Sequence, residues 1–169
     1  VYFSRFSSTE IVSDLFLEDQ DILVLPGVGN FDYLSMALNK KAMRKKIDKH
    51  VNIGGRIIGI CSGYQILYES SEESKDLGLG YLRGRLTKLP KLNMGWRDTT
   101  AEFQKVYFMN RFAMTYANLI KSSDFEYYYS DTHQGIKIIS QLQNDNLLGM
   151  QFHPEISREE CSQLITDFV

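Results

Sequence analysis

A cysteine flanked by glycines is the strongest sign of chemistry in this sequence. Cys61 has Gly59 two residues before it and Gly63 two residues after it, and a short apolar, β-branched run (Ile57, Ile58 and Ile60) leads into it. This G-x-nucleophile-x-G spacing is typical of a sharp strand-to-helix turn that displays a reactive side chain at the end of a sheet. We expect the dipole of the following helix to favour a thiolate. The alternative is a buried cysteine on a strand, with two glycines near it by chance.

A cysteine nucleophile needs a base, and His153 is the histidine best placed to act as one. It follows the apolar strand predicted over 147–152, so we expect it at the sheet edge where Cys61 is displayed. Pro154 biases His153 towards an extended conformation, in which Glu155 would point to the same side and orient the imidazole. The alternative is a strand-end histidine that is capped by a neighbouring loop.

Acyl transfer also needs hydrogen-bond donors for the developing oxyanion. One natural donor is the backbone N–H of Ser62, directly after the cysteine. A second would come from the loop 26–29, Pro-Gly-Val-Gly, through Gly27 or Val28, because this loop follows the apolar strand predicted over 21–25. The same loop is equally well explained as a tight β-to-α turn. Together these elements describe acyl transfer through a thioester, and they do not name the acyl donor.

Alternating strands and helices predict an α/β fold that would position these groups. Each of the first two strands is followed by a loop and a helix, the first over 33–50 and the second ending near Ser70 and Ser71. We therefore predict a mostly parallel central sheet with flanking helices and right-handed crossovers, in a single domain over 1–169.

The middle of the chain adds antiparallel strands to this prediction. Short candidate strands lie around 94–96, 106–109 and 125–129. The segment 136–142 alternates apolar and polar residues, which predicts a half-exposed strand. The last segment, 158–169, has the spacing of an amphipathic helix, in which Cys161 would pack into the core.

Composition excludes several broad classes of protein. The 169 residues carry 19 Lys and Arg against 21 Asp and Glu, which is not the basic balance of a nucleic-acid-binding protein. No apolar run is long enough to span a bilayer. The two cysteines make no disulfide framework, and His50, at a helix end, and His133, in a polar loop, have no companions. We predict no metal, no cofactor, no membrane or nucleic-acid partner and a cytoplasmic location.

Five short segments, in this order, carry a resemblance to a known family. They are Leu-Pro-Gly-Val-Gly at 25–29, Gly-Ile-Cys-Ser-Gly-Tyr-Gln at 59–65, Met-Gly-Trp at 94–96, Tyr-Phe at 107–108 and Gln-Phe-His-Pro-Glu at 151–155. With them the chain resembles the class I (triad) glutamine amidotransferases, and most closely the glutaminase subunit of imidazole glycerol phosphate synthase. Pro-Gly-Val-Gly in the first loop is the mark of that subfamily.

The resemblance implies hydrolysis of L-glutamine to glutamate, with ammonia channelled to a (β/α)8-barrel synthase subunit in a heterodimer. Cys61 would attack the side-chain amide, His153 would shuttle protons and Glu155 would orient the histidine. The implied substrate-binding groups are Gln65, Glu73 facing the α-amino group, and the backbone near Arg111 and Phe112 facing the α-carboxylate. The first loop is thought to rearrange when the partner is loaded, so a free subunit would hydrolyse glutamine poorly.

Several positions depart from the family pattern. The family's strand and helix before residue 1 are expected to be missing. Ser62 and Tyr64 replace a leucine and a methionine beside the cysteine, and Met-Asn-Arg-Phe at 109–112 replaces Val-His-Ser-Tyr. Arg97 replaces an asparagine, and Ile156 replaces a lysine that is expected to form a salt bridge with the barrel.

These departures leave other functions open. The chain is either a divergent synthase subunit of histidine biosynthesis or a paralogue that supplies ammonia to amidate a nucleotide-sugar or surface-polysaccharide precursor. A catalytically silent regulatory subunit is an alternative from a different class. The last alternative function is that of a γ-glutamyl peptidase of the same superfamily, which acts without a partner.

Overall fold

The structure, a computed structural model, describes residues 22–101, 105–157 and 161–169. The strands are β1 (Ile22–Leu25), β2 (Arg56–Ile60), β3 (Tyr68–Ser71), β4 (Leu82–Asp98), β5 (Lys105–Ala113), β6 (Glu126–Asp131), β7 (Lys137–Gln143) and β8 (Leu147–Met150). The α-helices are α1 (Phe31–Leu38), α2 (Lys41–Asn52), α3 (Ser62–Gln65), α4 (Pro154–Ser157) and α5 (Ser162–Phe168). A 3-10 turn covers Tyr116–Asn118. The expected loss of the family's first strand and helix lies outside the described residues.

A five-stranded sheet in the order β1-β2-β8-β7-β6 forms the centre of the fold. Parallel pairing joins β1 to β2 and β2 to β8, while β7 runs antiparallel to both β8 and β6. The apolar sequences of β1, β2 and β8 suit strands that are covered on both faces. The predicted α/β fold with a mainly parallel sheet and added antiparallel strands is confirmed.

A second sheet, in the order β3-β4-β5, is built around the long strand β4. The pairing of β4 with β5 is antiparallel, with an irregularity in register between Lys88 and Asn93. Along β5, Val106 and Phe108 are buried whereas Tyr107 and Met109 point outwards, so one face of this hairpin covers the core. The predicted strands at 94–96 and 106–109 belong to this sheet, and only the third, near 125–129, extends the central one.

The predicted single helix over 33–50 is wrong, because the chain breaks between α1 and α2. Lys40 takes an extended conformation, with ψ of 131°, which no helix interior allows. The side chain of Asn39 donates to the carbonyl of Leu77 at 2.8 Å and thereby holds the break against a distant loop. A long-range hydrogen bond of this kind leaves no trace in the local periodicity.

The predicted helix from the cysteine turn to Ser70 and Ser71 is also wrong, because α3 is a single turn and both serines lie in β3. The carbonyls of residues 66–68 accept N–H groups from Leu79, Leu82 and Gly80 instead of continuing a helix. A side chain at position 78 would place its Cβ 2.0 Å from the Tyr68 carbonyl oxygen, so glycine there permits this approach. The dipole of a one-turn helix is small, which weakens the predicted dipole effect on the thiol.

The segment 136–142 is not the half-exposed strand that its alternation predicted. As β7 it lies between β6 and β8, and residues 138–142 are all buried. Ile138 packs into the apolar cluster on one side of the sheet and Ile139 into the cluster on the other. The buried polar residue Ser140 is paired with Thr99, Oγ to Oγ1, at 3.0 Å. Gln141, also buried, donates from Nε2 to Gln143 Oε1 at 2.9 Å, so the polar residues of β7 are enclosed in the protein and do not face water.

The C-terminal helix completes the core. Cys161 is fully buried among Ile58, Leu148 and other residues of one apolar cluster, as predicted. The predicted helix start at Arg158 lies outside the described residues. Within the described ranges, no helix has the length and apolar character needed to cross a membrane.

Candidate functional site

Three neighbouring strands of the central sheet end at the same edge, and each is followed by one of the predicted site segments. Leu25 of β1 is level with Gly59 of β2, and Ile60 is level with Met150 of β8. The N–H of Cys61 donates to the Met150 carbonyl at 2.7 Å, which carries the pairing one residue past β2. The first loop, Cys61 and His153 therefore meet at one edge, as the strand order requires.

The backbone at Cys61 has the sharp turn that its flanking glycines predicted. Its φ of 48° and ψ of −111° lie in a region of backbone conformation that residues other than glycine rarely adopt. A Cβ at position 63 would lie only 2.0 Å from the carbonyl oxygen of Leu25, so the turn packs directly against the end of β1. This crowding fixes where the thiol of Cys61 points.

His153 and Glu155 form a close polar pair in the site. Nδ1 of His153 lies 2.7 Å from Oε1 of Glu155. The prediction that the extended segment continues through Glu155 is wrong: residues 154–157 form the one-turn helix α4, and the His153 carbonyl accepts the N–H groups of Ile156 and Ser157. Glu155 thus contacts the ring from the first turn of a helix that begins after His153. The N–H of His153 donates to the Tyr107 carbonyl at 2.9 Å, which ties the histidine to β5.

The pKa of His153 is raised to about 10, first by its interaction with Cys61 and then by its hydrogen bond to Glu155. For Glu155, burial is the largest single effect and acts to raise the pKa. The hydrogen bond to His153, a backbone hydrogen bond and the charge of His153 together outweigh burial, so the pKa is lowered. A Cβ at Gly27 would lie 2.9 Å from Cys61 Cβ and 3.4 Å from His153 Cε1, so both side chains border that glycine. Nε2 of His153 is buried without a hydrogen-bond partner among the described residues, so its interaction with Cys61 is not a completed hydrogen bond.

The first loop reaches the site, but one of its predicted donors is turned away. The N–H of Val28 donates to the carbonyl of Pro26 at 3.0 Å. A donor engaged in this bond is not presented to an oxyanion. Ser62 begins the single turn α3, where the first N–H groups have no acceptor within the helix. Of the predicted oxyanion donors, the N–H of Ser62 is therefore available to an oxyanion, and the N–H of Val28 is not.

The predicted substrate-binding residues separate into two places. Gln65 is buried, and its Nε2 donates to the Phe112 carbonyl at 2.7 Å, so the structure brings these two together. Arg111 precedes that carbonyl on β5. Glu73 lies in the turn after β3, and its Oε2 accepts the N–H of Phe31, the first residue of α1, at 3.1 Å. Because α1 follows the first loop directly, Glu73 holds the far end of that loop.

Sequence reasoning missed two amides at this site. Gln151 is fully buried, and its Oε1 accepts from Gln65 at 3.0 Å. Asn110 is also buried and donates to the Phe112 carbonyl at 3.0 Å. The sequence did contain one signal for Gln151. It is a polar residue at the end of an apolar strand, two positions before His153.

Neither of the remaining histidines joins the site. His50 lies in the last turn of α2, as predicted, and its Nε2 is 3.0 Å from the carbonyl of Arg56, at the opposite end of β2. His133 lies in a turn after β6. Across the described ranges, no three His, Cys, Asp or Glu side chains are grouped as metal ligands.

An exposed apolar patch lies beside the site on the β4–β5 hairpin. Met94 is paired with Met109, and Trp96 with Tyr107, so their side chains share one face. The rings of Trp96 and Tyr107 meet edge to face at 5.7 Å. Trp96 and Met109 are each 49% exposed, yet the Met109 carbonyl lies 3.8 Å from Cys61 Sγ. We call these four side chains the hairpin patch; large exposed apolar groups of this kind mark binding surfaces.

Comparison with known proteins gives the site its context. Residues 1–145 match the CobB/CobQ-like glutamine amidotransferase domain. The imidazole glycerol phosphate synthase subunit HisH of Prochlorococcus marinus (strain MIT 9312) is 32% identical over 157 residues, which are 85% of this chain and 76% of that protein. The subunit of the same name from Caldanaerobacter subterraneus subsp. tengcongensis is 34% identical over 168 residues, 90% of this chain and 80% of that protein.

Solved structures agree on the fold. A crystal structure of a glutamine amidotransferase matches with a TM-score of 0.65 and 15% identity, over 86% of this chain and 76% of that one. The structure of PurLQS from Thermotoga maritima matches with a TM-score of 0.64 and 22% identity, over 92% of this chain and 81% of that one. At these identities the likeness concerns the fold alone.

Proposed function

The chain belongs to the glutamine amidotransferases, in the family of the imidazole glycerol phosphate synthase subunit HisH, and from this we propose that it hydrolyses L-glutamine and delivers the ammonia to a synthase subunit. The observation that carries the proposal is the 2.7 Å contact between His153 and Glu155, with Cys61 on the adjacent strand end. A base held by a carboxylate beside a thiol is the arrangement that thioester chemistry needs.

The proposed reaction follows from these three side chains. Cys61 Sγ attacks as a thiolate beside the protonated His153 ring. It bonds to the side-chain carbonyl carbon of glutamine, and the carbonyl π electrons move to the oxygen. When the C–N bond breaks, the leaving nitrogen takes a proton from His153 and departs as ammonia. Water then attacks the thioester carbonyl carbon and gives one proton to His153. The C–S bond breaks, which restores the thiolate of Cys61 beside the protonated ring and releases the product acid, which ionises to glutamate. The raised pKa of His153 supports its role as the acid, because the ring is protonated at neutral pH.

The conformation of the first loop supports a dependence on the partner. The Val28 N–H is engaged by Pro26, so the loop must turn before Val28 donates to an oxyanion. Each oxyanion donor contributes about 100-fold or more to the rate of such reactions. We therefore propose that the free chain hydrolyses glutamine slowly and that docking of the synthase turns the loop.

The hairpin patch is the surface we propose for that docking, with a (β/α)8-barrel subunit as its partner. Two of its members, Tyr107 and Met109, lie on β5, whose carbonyls contact Cys61 and His153, so ammonia released there has a short way to a partner docked on the patch. Ile156, exposed on the neighbouring α4, would add to the same apolar surface. The proposed setting is the cytoplasm, where histidine biosynthesis would supply the acceptor.

Two of the departures favour a second candidate, a paralogue that feeds ammonia to a sugar-amidating barrel. Arg97 turns its guanidinium back onto its own strand, donating to the carbonyls of Trp96 at 2.6 Å and Met94 at 2.8 Å. Ile156 presents an apolar side chain where a charged contact with the barrel is expected. Both change the partner-facing surface without changing the proposed triad.

The test is glutamate production from glutamine by the chain alone, with the barrel subunit of imidazole glycerol phosphate synthase, and with a sugar-amidating barrel. We expect slow turnover alone and strong stimulation by one barrel. Cys61→Ser should abolish glutamate production in the complex and leave synthesis from added ammonia intact. Absence of turnover under all three conditions would show a silent regulatory subunit instead, and full activity alone on γ-glutamyl peptides would show a peptidase.

A further inference from the structure

A series of buried amides ends at the sulfur of Cys61. Gln65 Nε2 donates both to the Phe112 carbonyl at 2.7 Å and to Gln151 Oε1 at 3.0 Å. Gln151 Nε2 lies 4.0 Å from Cys61 Sγ, within reach of a hydrogen bond to sulfur. Because Gln151 is completely buried, water does not compete for these contacts.

The Phe112 carbonyl determines which way every amide in this series faces. A carbonyl oxygen only accepts, so the atom of Gln65 that faces it is the amide nitrogen. The same nitrogen also faces Gln151, which must therefore present its oxygen to Gln65. The NH2 group of Gln151 is left facing Cys61, so that a donor is directed at the sulfur.

A second pair of amides holds the Phe112 carbonyl itself. Asn110 Nδ2 donates to that oxygen at 3.0 Å, so both of its lone pairs are engaged. Asn110 Oδ1 in turn accepts from Asn93 Nδ2 at 3.0 Å, across the β4–β5 pair. Asn93 and Asn110 are buried as well, whereas Phe112, which joins them to Gln65, is half-buried.

We propose that Gln151 is a positioning residue for the nucleophile, which fixes Gln65 through its oxygen and favours the thiolate of Cys61 through its N–H group. A thiolate accepts a hydrogen bond better than a thiol does, so a fixed donor shifts the balance towards the reactive form. This role deepens the proposed function, because it rests on Cys61 being the nucleophile and Gln65 a substrate-binding residue. Gln151 acts through those two side chains.

The experiment measures alkylation of Cys61 by iodoacetamide as a function of pH, without glutamine, with the modified peptide identified by mass so that Cys161 does not contribute. In Gln151→Met, which keeps the shape of the side chain and loses both polar atoms, we expect the midpoint of the profile to move up by about half a unit to one unit. His153 is the titratable group beside Cys61 and is retained. The KM for glutamine should rise as well, because Gln65 loses one of its two acceptors.

The matched control is Gln141→Met on β7. Gln141 is another buried glutamine, its Nε2 donates to Gln143 Oε1 at 2.9 Å, and none of its hydrogen bonds belongs to the series. We expect this variant to keep the alkylation profile and the KM of the unmodified chain. A folded Gln151→Met with an unchanged profile would overturn the proposal, and so would an equal shift in Gln141→Met.

A second variant covers the outcome in which Gln151→Met does not fold. Gln151→Asn keeps a buried amide but is one methylene shorter, so it does not span from Gln65 to Cys61, and the same upward shift is expected. An unchanged profile there would also overturn the proposal. Because alkylation needs no turnover, a shifted profile in a chain that hydrolyses no glutamine with any barrel would contradict the proposed function alone.

Discussion

The carboxyl edge of the central sheet and the β4–β5 hairpin both border Cys61, but they hold their side chains in different ways. At the sheet edge the backbone is crowded, with Gly63 against Leu25 and with Cys61 bonded to the Met150 carbonyl. On the hairpin, the outward side chains of Trp96 and Met109 have no such enclosure. The comparison teaches that backbone packing fixes the proposed triad, whereas the outer face of the hairpin is free to change with the partner.

The most damaging change should be one that relieves the crowding at the sheet edge. Gly63→Ala would place a Cβ 2.0 Å from the Leu25 carbonyl oxygen, and we expect a loss of about 3 kcal/mol in the free energy of unfolding, together with loss of glutaminase activity. Chemical denaturation measures the first quantity. The control is Gly80→Ala, where φ is +70° and the space is open, so about 1 kcal/mol is expected from the backbone alone. Equal losses in the two variants would contradict the role of crowding.

A smaller effect separates the polar contacts of the edge from its backbone. The pKa of His153 is raised to about 10, so its protonation stabilises the fold fully below pH 6.5, and this contribution is lost as the pH rises through 10. Glu155→Gln removes the second cause of the raised pKa, and we expect the free energy of unfolding to fall less between pH 6.5 and 10 than in the unmodified chain. Denaturation at several pH values gives both slopes.

The control for this experiment is Glu126→Gln. Glu126 is a carboxylate on β6 that accepts from Tyr128 and Gln143 and is not hydrogen-bonded to a histidine. Its replacement should leave the slope between pH 6.5 and 10 unchanged. An unchanged slope in Glu155→Gln would mean that the pair with His153 adds nothing to the protonation of the ring.

The smallest effect on stability is expected on the hairpin. Trp96→Ala removes an exposed side chain with one edge-to-face ring contact, so the free energy of unfolding should change by about 1 kcal/mol at most. Stimulation of glutamate production by the barrel should fall roughly tenfold or more, as for an interface anchor. The measurement is the rate of glutamate production as the barrel subunit is titrated into the chain.

Ile53→Ala is the control for the hairpin. Ile53 is 51% exposed, an exposed fraction similar to that of Trp96. It lies before the start of β2, at the opposite end of the sheet from Cys61. Its replacement should leave the stimulation by the barrel unchanged. If both variants lost stimulation equally, the patch would not be the docking surface.

The same contrast explains what the sequence could predict. Cys61 and His153 were located correctly at the sheet edge because Cys61 directly follows the apolar strand β2 and His153 lies three residues after the apolar strand β8, and strands of one direction end at one edge. Their relation depends on local patterns and on a general rule of α/β sheets. The length of α3 could not be predicted, since it depends on which carbonyls residues 79–82 occupy.

Contacts between distant residues were also beyond local patterns. Gln65 and Gln151 are 86 positions apart, and neither has a neighbour in sequence that indicates an amide partner. Glu155 was predicted beside His153 for the wrong reason, because a proline after a strand also suits the first position of a helix. The fold of the central sheet was thus accessible from the sequence, and the hydrogen-bonding at its edge only in part.

The backbone conformation of Cys61 also affects the stability of the whole fold. Within the described ranges, Cys61 is the one non-glycine residue with a positive φ, and such a conformation costs about 1 to 3 kcal/mol. Glycine adopts it freely, so a chain with glycine at position 61 would unfold less readily while having no thiol to react. Stability alone would therefore favour glycine at this position, and a cysteine there gives up part of the stability of the fold to place a thiol where the proposed reaction needs it.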